Sequence, residues 1–258
     1  MAGFLKRIFG GSESASQASA ADRFAELKVD LHSHLIPGID DGAPDLDTAV
    51  EMVRQLSGLG YRKLITTPHI MADGFPNTPK IIREGLAALR KGVAAAGIEV
   101  EVQAAAEYYL DEIFAEHLEK SELLTFGGEG KYLLFETSYI SRPLMLGDAV
   151  FRMQTMGYIP VLAHPERYQY HWTDDGLEEI RILRNRGIKM QVNFGSFAGR
   201  QGKKAATLAR EMAKEGMVDF VGSDLHRPTQ VATLSKAMAD NKALRMLVDT
   251  GRLLNKTL

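Results

Sequence analysis

The chain has 258 residues, a formal charge of −2 and no cysteine. That length buries a sizeable core within a single domain, and the near-neutral charge without a long basic run argues against a nucleic-acid surface. Without thiols there are no disulfides, thiolate metal sites or cysteine nucleophiles, so any metal has to be held by nitrogen and oxygen.

Residues 1–9 are short and basic-apolar, with Phe4, Leu5, Ile8 and Phe9 beside Lys6 and Arg7, and residues 10–21 are mostly Gly, Ser and Ala. This composition predicts a disordered leader over residues 1–26, in which residues 1–9 offer weak membrane attachment. No stretch reaches the roughly 20 apolar residues of a membrane span, and no secretory-type apolar core follows the first basic residues. The reading is a cytoplasmic protein whose single catalytic domain covers residues 27–258.

Within that domain, short apolar or β-branched runs at 28–31, 63–67, 100–105, 132–135, 159–163, 189–193 and 218–222 read as seven strands. Amphipathic segments of helical period lie between and after them, at 46–59, 79–96, 144–156, 177–186, 203–215 and 231–247. The alternation predicts parallel strands with helices outside. No glycine-rich dinucleotide or phosphate loop follows the first strand, which favours a closed barrel over an open doubly wound sheet. Seven strands make it a distorted (β/α)7 relative of the eight-stranded TIM barrel.

In such barrels the chemistry gathers at the C-terminal ends of the strands. Strand one runs into His32 and His34, whose spacing puts both on one face of an extended chain. Strand two ends in Thr67-Pro68-His69, strand three in Glu107, strand four in Glu136, strand five in His164-Pro165-Glu166-Arg167 and strand seven in Asp224-Leu225-His226-Arg227. Strand six ends in neutral Asn193, a supporting or substrate contact. Singly each has an ordinary reading: His69 as a helix cap, Glu136 as an arginine partner, Asp224 as an N-cap. Together they place five imidazoles and three carboxylates at one mouth, more than one ion needs. Two or three divalent ions are implied, with Glu107 a candidate bridge, and nitrogen with oxygen suits Mn, Fe or Zn.

Clustered divalent ions serve phosphate ester hydrolysis. Arg167 and Arg227, each one to three residues past a candidate ligand, are placed to hold phosphate oxygens. Asp40 and Asp41 precede Gly42, where a carboxylate either protonates the leaving oxygen or fixes an Asx turn. Tyr108, Tyr109, Tyr139, Phe75, Phe197 and Tyr168 are candidates for a wall against a substrate ring, with at most two expected to touch it. Trp172 reads as loop packing, and His117 and His171 as structural or surface residues.

The motifs Asp30-Leu31-His32-Ser33-His34, Gly38-Ile39-Asp40-Asp41-Gly42, Thr67-Pro68-His69, Ala106-Glu107-Tyr108-Tyr109, Phe135-Glu136, Ala163-His164-Pro165-Glu166-Arg167-Tyr168, Gln191-Val192-Asn193 and Ser223-Asp224-Leu225-His226 resemble, in order and spacing, the PHP (polymerase and histidinol phosphatase) superfamily. Within it the chain looks like the bacterial manganese-dependent protein-tyrosine phosphatases of capsular and exopolysaccharide synthesis. The resemblance implies a PHP-type (β/α)7 barrel with a trinuclear site, usually Mn. It carries metal roles onto His32, His34, His69, Glu107, Glu136, His164, Asp224 and His226, phosphate binding onto Arg167 and Arg227, and assistance to the chemistry onto Asp41. The implied substrate is a phosphotyrosine-bearing protein, the tail of a bacterial tyrosine kinase, with an oligomer compatible. In some members the counterpart of Arg227 lies further past the histidine. The alternatives left open are a small phosphate ester such as histidinol phosphate, or a non-catalytic metal-binding regulator.

Overall fold

The computed structural model describes residues 19–120, 123–128 and 131–258. In chain order these form α1 (Ala20–Leu27), β1 (Val29–Leu31), α2 (Leu46–Leu59), β2 (Lys63–Thr66), β3 (His69–Ile70), α3 (Pro79–Ala95), β4 (Glu101–Ala104), β5 (Glu107–Tyr109), α4 (Phe114–Lys120) and β6 (Tyr132–Glu136). There follow α5 (Leu146–Thr155), β7 (Ile159–Ala163), α6 (Gly176–Asn185), β8 (Lys189–Asn193), α7 (Phe194–Phe197), α8 (Lys203–Lys214), β9 (Phe220–Gly222), α9 (Val231–Asp240) and α10 (Lys242–Asp249). No helix among the described residues is long and apolar enough to cross a membrane.

The fold is α/β with parallel strands, in a sheet ordered β1-β2-β4 and a second ordered β3-β5-β6-β7-β8-β9. Two of the seven expected strands, seen as β2 and β4, are each followed past the expected end by a further short strand, β3 and β5, with a break between. Pro68 has no N–H to give to a ladder, and the Ala106 N–H turns away to Leu124 O. The register survives the split: Thr66 pairs with Ala104 and His69 with Glu107.

The described strands form no closed sheet. The free edges β1 and β9 meet instead through an isolated parallel bridge between Ser33 and Leu225 and through side chains. The buried Asp30 accepts from Ser223 N at 2.9 Å and from its Oγ at 2.7 Å. At the other end of the seam, buried Asn255 donates to Val29 O at 3.1 Å and Val221 O at 2.8 Å.

Residue 26, the expected boundary, lies within α1. Residues 1–18 of the expected leader, including the proposed attachment at 1–9, lie outside the described residues, but Ser19 caps α1 with a reciprocal Ser19–Asp22 capping box. Phe24 is 1% exposed and packs on Tyr61 and Phe194, a burial worth about 1.5–3 kcal/mol. Arg23 ties the helix to Asp249 at 2.8 Å. The expected helix at 231–247 is likewise two, because Asn241 ends α9 and its side chain caps α10 by accepting from Leu244 N.

A small apolar layer of Val29, Leu31, Ile65, Ala105, Leu134, Val161, Ala163 and Phe220 is distinct from the larger core under the helices. Side chains two residues on along a strand share its face, so Ala105 leads to Glu107 and Leu134 to Glu136 directly above this layer. His32 and His164 are one residue out of step with Leu31 and Ala163. Both take left-handed backbone, φ 78° and 33°, as does Asp224 at 48°. Such conformations cost a non-glycine residue on the order of 1–3 kcal/mol and concentrate at functional sites.

Candidate metal centre

The eight candidate ligands converge. Glu107, at 0% exposure, lies at their middle: Oε2 is 3.1 Å from His32 Nε2, 3.6 Å from His34 Nε2 and 3.2 Å from His69 Nδ1, and Oε1 is 2.9 Å from His164 Nε2. Glu136 Oε1 is 3.1 Å from His69 Nδ1. Asp224 Oδ1 is 3.5 Å from His32 Nε2, His34 Nε2 and His226 Nδ1 alike. Four overlapping groups have ligand atoms within 4.8 Å of one another: His34, Asp41, His69 and His226; His32, His164 and Asp224; His32, His34 and Glu107; His69, Glu107 and Glu136.

Two of the imidazoles are aimed by acceptors on their far nitrogen. Asp40 Oδ2 takes His34 Nδ1–H at 2.8 Å, and the Asp224 carbonyl takes His226 Nδ1–H at 3.0 Å. Each Nε2 is thereby turned toward carboxylate oxygen, the arrangement that orients metal-binding histidines. Asp40 also accepts from Gly42 N at 2.9 Å, so the Asx turn and the support of His34 are one device.

Buried charge sets the electrostatics. Burial alone would discharge His32, but Glu107 and Asp224 prevail and raise it to about 9. His34 is held well above its ordinary range, burial being outweighed by Asp40 and Asp224. Burial opposes the charge on Glu107 and Asp224 too, yet the facing imidazoles, His32 first, hold both well below the carboxylate range. The cluster thus draws in protons where positive charge is needed between carboxylates.

A divalent cation meets the same need. His34 Nε2, His69 Nδ1 and Asp224 Oδ1 are buried, make no well-aligned hydrogen bond, and face one another's oppositely charged groups at 3.1–3.6 Å. Imidazole and carboxylate donors fit Mn, Fe or Zn.

Among the expected substrate groups, Arg167 NH1 donates to Asp224 Oδ2 at 2.9 Å, and its guanidinium lies 4.7 Å over the Tyr139 ring. Arg227 NH1 donates to the carbonyls of Asp41, Gly42 and His226, so it fastens the 41–42 loop to the segment that follows β9. Asp41 Oδ1 is 3.2 Å from His226 Nε2 and 3.6 Å from His69 Nε2, and the His226 hydrogen bond lowers its pKa to about 2. Its place in one ligand-atom group with His34, His69 and His226 makes Asp41 a ninth candidate ligand.

Tyr108, Tyr168 and Phe197 are buried in the core. Phe75 stacks on His69, with centroids 5.3 Å apart, and Tyr139 on His164 at 5.8 Å. Trp172 Nε1 donates to Glu166 O at 2.9 Å, and buried His171 donates to Pro165 O, so both support the loop. His117 lies beside Tyr108 on α4. The sequence marks Gln191-Val192-Asn193 as a motif and Asn193 as a supporting or substrate contact, but gives Gln191 no role. The spacing of the two along a strand entering the mouth was the available signal.

The family model for capsular polysaccharide synthesis, CpsB/CapC, matches residues 28–243. The tyrosine-protein phosphatase YwqE of Bacillus subtilis is 31% identical over 198 residues, 77% of each chain. The tyrosine-protein phosphatase CpsB of Streptococcus pneumoniae is 25% identical over 237 residues, 87% of this chain and 96% of its own. A solved chain from the crystal structures of YwqE and CpsB, described as unique metal-dependent tyrosine phosphatases, superposes with a TM-score of 0.74 at 27% identity. It covers 89% of this chain and 95% of that one.

Proposed function

The chain belongs to the CpsB/CapC family of capsular polysaccharide synthesis, and from that premise we propose that it is a metal-dependent phosphoric monoester hydrolase acting on protein phosphotyrosine. The observation that carries the reading is Glu107, buried and facing four imidazoles at 2.9–3.6 Å, within a fold shared with metal-dependent tyrosine phosphatases.

His32, His34, His69, Glu107, Glu136, His164, Asp224 and His226, with Asp41, would hold two or three divalent ions, Mn foremost. Bound there, such ions supply Lewis-acid polarisation of a phosphoryl oxygen and activation of water. The chain's own groups do the rest. Arg167, anchored through one nitrogen on Asp224, keeps donors in its planar fork to orient phosphate oxygens. Tyr139 supports that guanidinium from beneath and donates to Glu136 at 3.3 Å. Phe75, stacked on His69, offers an apolar edge to a substrate ring. Arg227 holds the loop that carries Asp41.

The substrate we assign is the phosphotyrosine tail of a bacterial tyrosine kinase, met in the cytoplasm. The two sheets are read as one distorted seven-stranded barrel, a reading supported by the unbroken register across the split strands and the seam at Asp30 and Asn255. The test is phosphate release by the manganese-loaded protein from a phosphotyrosine peptide, a phosphoserine peptide and histidinol phosphate. Preference for phosphotyrosine is expected, and preference for histidinol phosphate would overturn the assignment.

A further inference from the structure

Strand β8 brings neither histidine nor carboxylate into the cluster, yet its Gln191 and Asn193 are both 0% exposed and connect two of the candidate ligands. Asn193 Nδ2 donates to Asp224 Oδ2 at 2.6 Å, Gln191 Nε2 donates to Asn193 Oδ1 at 2.9 Å, and Gln191 Oε1 lies 2.7 Å from His32 Nδ1. The direction of this chain follows from its ends. An ionised carboxylate only accepts, so Asn193 presents its NH2 to Asp224 and its carbonyl to Gln191. Gln191 then presents its own NH2 to Asn193 and its carbonyl to His32. The main-chain N–H of His164, which only donates, also points at Gln191 Oε1, at 3.3 Å. His32 therefore carries hydrogen on Nδ1 and turns Nε2 to Glu107 and Asp224.

The surroundings leave space for this arrangement and no more. A Cβ on Gly222 would stand 2.0 Å from Leu31 O, 2.8 Å from Gln191 Nε2 and 3.0 Å from His32 Cβ. At the far end, Asn193 and Arg167 together occupy Asp224 Oδ2 and leave Oδ1 facing the imidazoles.

We propose that Gln191 and Asn193 are positioning residues forming a polarised amide relay that sets the tautomer of His32 and the orientation of Asp224 together. This deepens the metal-centre reading and rests on it. Neither amide touches the candidate ion positions; each acts by presenting a ligand atom on another residue. Replacing support of this kind behind a metal ligand lowers metal affinity by roughly 10–100-fold.

The experiment compares Mn2+ affinity of the wild-type chain, Gln191→Leu, Gln191→Glu and Asn193→Asp, alongside 15N NMR of the zinc-loaded wild-type protein to locate the hydrogen on His32. Gln191→Leu removes the acceptor and is expected to weaken Mn2+ binding 10–100-fold. Gln191→Glu discriminates a relay from a local contact. It still accepts from His32, but it obliges Asn193 to donate backwards and to turn its carbonyl on Asp224. The relay requires a comparable loss in Gln191→Glu and in Asn193→Asp, and wild-type affinity in either overturns it. A His32 hydrogen on Nε2 in the zinc-loaded wild type overturns it without any variant needing to fold. A wild-type chain that binds no Mn2+ removes the metal-centre reading and the relay with it, which separates that failure from the relay's own.

Discussion

Glu107→Gln keeps the shape of the central side chain and removes its charge, so its effect isolates the electrostatics of the cluster. In the metal-free protein, burial favours neutral His32, but Glu107 first and Asp224 second raise it from 6.5 to about 9. A shift of that size corresponds to about 3 kcal/mol at 1.36 kcal/mol per unit. The raised value means that this stabilisation is fully present below pH 6.5 and is lost as the pH rises through about 9. Since Asp224 remains, Glu107→Gln is expected to destabilise the metal-free fold by about 2–3 kcal/mol at pH 6. For a chain of this size that lowers Tm by roughly 4–12 °C. By pH 10, where His32 is neutral in both proteins, the part of the difference that His32 carries should vanish. Thermal unfolding in excess chelator at the two pH values measures it. An equal destabilisation at pH 6 and pH 10 would refute the reasoning, because the loss would then come from packing.

Three other perturbations have defined outcomes. Arg167→Ala should retain bound metal, since Asn193 still donates to Asp224 at 2.6 Å, while KM for aryl phosphates rises about 10–100-fold, a loss of the size expected for a charged hydrogen bond; metal lost in proportion to activity would contradict this. Asp41→Asn should lower metal content and activity together, and normal metal content with an altered pH profile would return Asp41 to proton transfer. Because the pKa of Asp41 is lowered to about 2, its contribution to stability is present above pH 3.8 and should be lost only as the pH falls through about 2. Phe24→Ala, by opening a cavity under α1, should cost about 3–5 kcal/mol in urea unfolding; a cost near zero would put α1 outside the cooperative domain.

Much of the site was legible because a strand's period of two survives into the loops. Glu107 and Glu136 stand above Ala105 and Leu134 by simple alternation, and β7 and β8 match their expected bounds. His32 and His164 were found by residue type and place at a strand end, but nothing in the local composition announces a left-handed backbone at a histidine. Helix α1 was hidden in a Ser- and Ala-rich run whose apolar payload is only Phe24 and Leu27, and its stability is tertiary, through Tyr61, Phe194 and Asp249. The break at Thr67-Pro68 was readable from proline, but that at Ala105-Ala106 depends on Leu124, distant in sequence. Arg227 lies one residue from a candidate ligand, and that proximity did not reveal its hydrogen bonds to the carbonyls at 41 and 42. The amide relay escaped notice because neutral side chains carry no metal-binding signature until their partners are placed.

On the proposed function, the buried histidine and carboxylate cluster holds the metal that phosphotyrosine hydrolysis requires. The most direct measurement titrates chelator-stripped protein with Mn2+ while following both bound metal and phosphate released from a phosphotyrosine peptide. Activity should rise from background with metal uptake and level off as two or three equivalents bind. Full activity in the stripped protein, or metal uptake that leaves activity at background, would contradict the account.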